Sequence, residues 1–302
     1  MTDPTPRHFP AFLFFFAALA LATNGLILSA CAESSTPTPI PPTQTPAPPT
    51  PTPEPLAALV NGEGITLAEF EAELARFQAA QAALGIIIPL EEAAQRVIND
   101  MIDQVLLAQG AREAGFIVDD ATVQARMDNL TAQVGGPDAL AAWMSEHGYT
   151  EEAFGQDMRR RIAAAWMRDQ IIAAVPLYAE QVHVQQILFY NEETAQQVLI
   201  QLDAGADFGT LASKYDPLTH GDLGWFPRGY LPEPQIEEAA FALQPGQYSD
   251  VIESQVGYHI LIVIERDPQH PLTPDALLTL QSQALADWLR QKREQSTIIL
   301  AP

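Results

Sequence analysis

The side chains able to do chemistry in this 302-residue chain are few and widely spaced. Cys31 is the single cysteine, so no internal disulfide forms and no CxxC redox or zinc pair exists. Across residues 56–178 no histidine, cysteine or carboxylate pair has metal-ligand or acid–base spacing. Further on, two histidines stand in apolar, strand-like runs: His183 in Gln181-Val182-His183-Val184 and His259 in Gly257-Tyr258-His259-Ile260-Leu261. His183 precedes Gln186 by three residues, an odd interval that puts the two on opposite faces of a strand. Asp216 and His220 belong to the short loop between Tyr215 and Gly221. A histidine in an apolar strand is either a satisfied core residue or the polar member of a cleft, and its surroundings must decide which.

Those surroundings are acidic overall. Lys+Arg 15 against Asp+Glu 38 gives a formal charge of −23. Such a surface repels phosphate backbones and anionic headgroups, which excludes nucleic acid as a partner and electrostatic docking to a membrane. It favours solubility and partners that are basic or unfolded. The length suits two modest domains, and 47% hydrophobic residues can build their cores.

The first 55 residues are not core material. Ala11 to Ala22 is an apolar run, too short to span a bilayer comfortably and suited to a signal-peptide h-region. Leu28-Ser29-Ala30-Cys31 follows and resembles the bacterial lipobox, in which the cysteine is acylated. Two or three acyl chains anchor stably where one does not. Residues 32–55 include ten prolines and many threonines. Extended at about 3.1 Å per residue, that stalk reaches roughly 70 Å and lifts a folded part off a membrane.

The elements begin at Leu59. Leu59 to Ile65 reads as a short strand and turn, and Thr66-Leu67-Ala68-Glu69 is a capping box opening a helix with Phe70, Leu74 and Phe77. A second helix covers Leu90 to Ala114, with Val97, Ile98, Met101, Ile102, Val105 and Leu106 on one face. A third opens at Asp119-Asp120, a fourth holds Leu140 and Trp143, and a fifth runs from Thr150 to about Ala174. Residues 179–267 change character: strand, helix, short helix, strand, helix, strand, which implies a small antiparallel sheet. Thr273 to Leu300 reads as one last helix.

In this order along the chain, Gly221-Asp222-Leu223-Gly224-Trp225-Phe226, the string Glu237 to Asp250 and Val256-Gly257-Tyr258-His259-Ile260-Leu261 resemble the parvulin family of peptidyl-prolyl isomerases. The helical half resembles the N-terminal chaperone domain of SurA-like and PrsA-like folding factors. The resemblance implies a helical chaperone domain plus a parvulin-type α+β domain with a small antiparallel sheet. It also implies rotation about Xaa-Pro bonds, against a barrier near 18–20 kcal/mol, with no metal, nucleophile or cofactor. The family's apolar prolyl pocket maps to Leu223, Phe226, Leu231 and Ile236, with Ser254 joining the substrate-binding set. Its catalytic positions map to His259, Asp216 and Gln186. Gln186 stands where parvulins usually carry a histidine; a glutamine hydrogen-bonds but does not titrate, which bears on the rate.

The boundaries expected are a signal peptide at 1–30, lipidated Cys31 and stalk at 31–55, the helical domain at 56–178, the parvulin domain at 179–271, and a C-terminal helix at 272–302 packing back on the helical domain. The function expected is that of a membrane-anchored extracytoplasmic foldase. It would isomerise Xaa-Pro bonds and hold newly secreted, unfolded chains. Its rivals are a binding-only chaperone with a degenerate parvulin domain and, against the helical first half, a transporter's substrate-binding lipoprotein.

Overall fold

The structure, a computed structural model, describes residues 54–301. The apolar run, Cys31 and nearly all of the Pro/Thr segment lie outside the described residues.

Strands β1 (Leu56–Val60) and β2 (Glu63–Thr66) make a hairpin through Asn61-Gly62, both at positive φ. That dipeptide is suited to a two-residue turn matching the twist of its strands. Helix α1 (Leu67–Ala83) starts at Thr66, whose side chain accepts from Glu69 N while Glu69 reaches back to the cap. Helix α2 (Leu90–Glu113) is the axis of the helical lobe, and its Ile98, Ile102, Val105 and Leu106 bury against Ala58, Val60 and Ile65 of the hairpin. Helices α3 (Asp120–Val134), α4 (Pro137–Glu146) and α5 (Glu151–Ala173) follow, with Asp119 and Thr150 capping α3 and α5. Buried Asp157 of α5 accepts from Arg160 and Arg161, and Arg160 also donates to Glu69 of the capping box. One paired charge thereby ties α5 to the start of α1.

Strand β3 (Tyr178–Phe189), helices α6 (Glu192–Asp203) and α7 (Phe208–Tyr215), strand β4 (Asp222–Pro227), helix α8 (Pro234–Ala242) and strands β5 (Ile252–Ser254) and β6 (Gly257–Pro271) form the second lobe. Its sheet has the order β4-β3-β6-β5 and is antiparallel throughout. Ile187, Phe189 and Ile260 face α6 and α7, while Val182, Val184, Leu261 and Val263 face α8. Helix α9 (Pro274–Glu294) then returns to the helical lobe, where Leu285, Trp288 and Leu289 pack on the α5 core and Arg293 pairs with Asp103 at 2.7 Å.

Three details differ from the sequence reading. The last helix stops at Glu294, and Ile298–Leu300 is a strand, β7, paired with β1. A β-branched Ile-Ile pair after a helix C-cap finds a free sheet edge, which local periodicity does not reveal. Strands β3 and β6 also run longer than their apolar cores, to Tyr178 and Pro271, because backbone pairing carries them through a polar stretch. The small strand β5 is an addition.

The return of α9 depends on a missing side chain. A Cβ on Gly110 of α2 would lie 2.6 Å from a ring carbon of Trp288. Gly110→Val therefore displaces the indole and lowers stability by about 1–3 kcal/mol. The check is a urea titration of Gly110→Val beside the native chain; an unchanged midpoint removes α9 docking from the account.

Candidate active site

Alternation along the sheet decides which side chains meet. His259, Leu261 and Val263 share one face of β6, and Val184 and Gln186 share the same face of β3. Leu188 is paired with His259 and Leu261 with Gln186, so Gln186 and His259 are diagonal neighbours. His259 Nδ1 lies 2.9 Å from Gln186 Oε1, and Nε2 lies 2.7 Å from Ser254 Oγ. A carbonyl oxygen only accepts, so Nδ1 carries the proton and Nε2 accepts from the Ser254 hydroxyl. Ser254 Oγ accepts in turn from Val256 N. The result is a directed chain from Val256 N–H through Ser254 and His259 to Gln186.

Beside this chain lies the apolar cluster. Phe226 and Ile236 are buried, and Leu223 and Leu231 pack on them half-exposed. Phe226, at 0% exposure, is the floor under those two leucines and presents no surface of its own. His259 is only 4% exposed, and that burial lowers its pKa from 6.5, opposed by the nearby Glu233 carboxylate. The imidazole is therefore neutral at neutral pH.

Asp216 is placed differently. Its carboxylate accepts from the Thr219 hydroxyl and from the backbone N–H groups of Leu218, Thr219 and Gly221. Those bonds, the Thr219 hydroxyl first, hold its pKa at about 2. Asp216 makes no hydrogen bond to His259 or Gln186; it staples its own loop. The loop in turn fixes Gln186, whose N–H donates to Gly221 O at 2.8 Å. Gly221 has φ +71°, and a Cβ there would fall 1.9 Å from Gln186 O, so only glycine fits. His220 bonds Ser213, and His183 bonds Asp222 and stacks near Trp225, both away from the His259 chain.

Two supports escaped the sequence reading. The Glu237 carboxylate accepts from the N–H groups of Gly229, Tyr230 and Leu231, pinning the loop that carries Leu231. From the other lobe, Gln283 of α9 donates to Gly229 O. The first lay inside a string already singled out, but as one of two adjacent glutamates on a helix it carried no mark of its partner.

A small antiparallel sheet flanked by helices carries the histidine-centred polar chain beside an apolar cluster. Residues 189–265 match the PPIC-type PPIASE domain, and residues 45–168 match the SurA-like N-terminal domain. Over these two segments the chain is similar to a SurA-like N-terminal domain and to a PPIC-type parvulin domain, and its curated relatives include PrsA foldases. It is 29% identical over 188 residues to a foldase protein PrsA of Geobacillus sp., covering 59% of this chain and 65% of that one. It is 39% identical over 127 residues to a foldase protein PrsA of Halalkalibacterium halodurans, covering 39% and 38%. The aligned stretches thus span less than two thirds of those relatives' length. A crystal structure of a peptidylprolyl isomerase (PrsA) from Bacillus cereus superposes with TM-score 0.42 at 20% identity, covering 78% of this chain and 84% of that one.

Burial of a neutral histidine gives a signed prediction. Below pH 6.5 the unfolded chain binds a proton that folded His259 resists, so stability falls with pH until the folded imidazole also titrates. Urea midpoints should decline below pH 6.5 and be flat above it, and His259→Asn should remove part of that slope. Gln186→Leu leaves the Nδ1–H buried without an acceptor and should cost about 1–3 kcal/mol. A Gln186→Leu midpoint equal to the native one would show that the bond contributes nothing.

Proposed function

We propose that this chain is a membrane-anchored extracytoplasmic foldase that catalyses cis–trans isomerisation of Xaa-Pro bonds and holds unfolded secreted polypeptides. In this reading residues 179–271 are the isomerase, and residues 56–178 with 272–302 are the holding lobe. The observation that carries it is the His259 chain lying on the same sheet face as Leu223, Phe226, Leu231 and Ile236.

The mechanism follows from what the amide needs. Resonance keeps the Xaa-Pro bond planar and polar, and a drier site disfavours that planar form relative to the twisted one. Leu223 and Leu231 supply apolar surface for the prolyl ring, with Phe226 and Ile236 as rigid backing. The neutral imidazole, locked in one tautomer, presents a fixed polar environment that needs no reorganisation when the amide twists. No bond is made or broken and no proton moves. Asp216 contributes by holding the loop behind Gln186, and Ser254 by orienting the imidazole.

A second reading, binding without catalysis, is favoured by one feature: both imidazole nitrogens are already occupied, one of them by a glutamine. The two readings separate in a proline-isomerisation assay on the full chain. Catalysis predicts acceleration above background and a loss of about tenfold in kcat/KM for His259→Ala, equivalent to about 1.4 kcal/mol. Because the imidazole stays neutral, the rate should be level from pH 8 to 6.5. A native rate equal to background supports the binding-only reading.

The anchor rests on Leu28-Ser29-Ala30-Cys31 behind the apolar run. Among the described residues no helix is long and apolar enough to cross a membrane. Cys31→Ser should abolish labelling by a radioactive fatty acid and move the protein from the membrane to the soluble fraction. Retention of Cys31→Ser on the membrane would remove the anchor.

A further inference from the structure

A hollow in the helical lobe lies between α1, α3, α4 and α5, far in sequence from the His259 chain. Its volume is about 1130 Å³. That is somewhat more than the roughly 300–1,000 Å³ of ordinary ligand pockets and leaves room for several residues of an extended chain.

Its floor is aromatic. Phe116 stacks on Trp166 with ring centroids 4.5 Å apart, and Trp143 lies 6.1 Å from Tyr149 and 5.9 Å from Phe154. Trp143 remains 36% exposed. Indole surface left open in a concavity is regained by an apolar occupant, and flat rings grip side chains with little entropy loss.

The rim runs against the charge of the molecule. The chain has 15 Lys+Arg against 38 Asp+Glu. Around this hollow stand Arg76, Arg126, Arg161 and Arg168 against Glu73, Asp157 and Asp169. Three of the four arginines are already paired: Arg76 with Glu73, Arg161 with Asp157, and Arg168 with Asp169. Arg76 also donates to the Tyr149 hydroxyl at 3.0 Å and lies over that ring. The acids are thus spoken for. Arg126, exposed on α3, makes no ion pair or hydrogen bond among the described residues and lines the hollow. A guanidinium at the edge of an apolar hollow is matched by a carboxylate, which it binds through two parallel hydrogen bonds.

We propose that this hollow is a peptide site for unfolded segments that pair a large aromatic or aliphatic residue with a nearby Asp or Glu. The idea rests on the holding role of the helical lobe and adds to it a preference. A net charge of −23 repels acidic chains at long range. Acidic segments are therefore captured only where they bring apolar side chains for the rings and a carboxylate for Arg126 together.

Trp143 and Trp166 supply the signal. The test is tryptophan fluorescence of the full chain titrated with two blocked, proline-free peptides, acetyl-Phe-Glu-Leu-Phe-Glu-Leu-amide and the same peptide with lysine for glutamate. The acidic peptide should half-saturate at about tenfold lower concentration, the scale of one charged hydrogen-bonded contact. Arg126→Glu, an exposed change that leaves the melting temperature in place, should reverse the order. Equal affinities for the two peptides, tighter binding of the lysine peptide, or an Arg126→Glu variant that keeps the native order would each overturn the inference. Aggregation suppression by the native chain, measured alongside, separates the two claims: suppression without peptide preference leaves the holding lobe standing and removes this site.

Discussion

The pairing of β3 with β6 is the constraint on which the rest depends. It runs from Tyr178 opposite Pro271 to Phe189 opposite Tyr258, joining segments some eighty residues apart in one antiparallel ladder. Closing so long a loop costs entropy that only a long ladder with two buried faces recovers. Once formed, it does three things. It sets Gln186 diagonal to His259, it divides the apolar residues between α8 on one face and α6–α7 on the other, and it returns the chain to the helical lobe at Leu272, whose N–H donates to Leu177 O.

Register on this ladder is chemistry. A slip of one residue would turn His259 toward α6 and α7 and put Ile260 beside Leu223. What holds it is the apolar division of the two faces, reinforced by Gly221, where the loop backbone touches Gln186 too closely for any side chain. The acidic groups on the loops around His259 are consequently positional. Asp216 and Glu237, both acids with several backbone N–H partners, spend their charge on shaping their loops. The isomerisation proposed above asks for a shaped, dry and fixed environment of this kind.

The two lobes touch at the same place. Gln283 of α9 donates to Gly229 O, on the loop that Glu237 pins and that carries Leu231. The helix that closes the helical lobe therefore also braces the loop that carries Leu231. Its own seat is set by Gly110, which leaves room for Trp288.

Much of this was legible in the sequence, for local reasons. The capping box at Thr66, the Asn61-Gly62 turn, the helix starts at Asp119 and Thr150 and the apolar face of α2 follow from backbone hydrogen-bond needs within a few residues. The ordered strings from Gly221 to Leu261 pointed to the parvulin class, and the odd interval from His183 to Gln186 put those side chains on different faces. Only the tertiary structure decided the partners of the isolated polar groups: Ser254 and Gln186 for His259, the loop amides for Asp216 and Glu237, and β1 for Ile298–Leu300. These contacts join residues separated by up to some two hundred and forty positions. Nothing local about a glutamate on a helix or an isoleucine after one tells which distant backbone it will meet, because that is settled by how the two long strands align and by what their closing brings alongside.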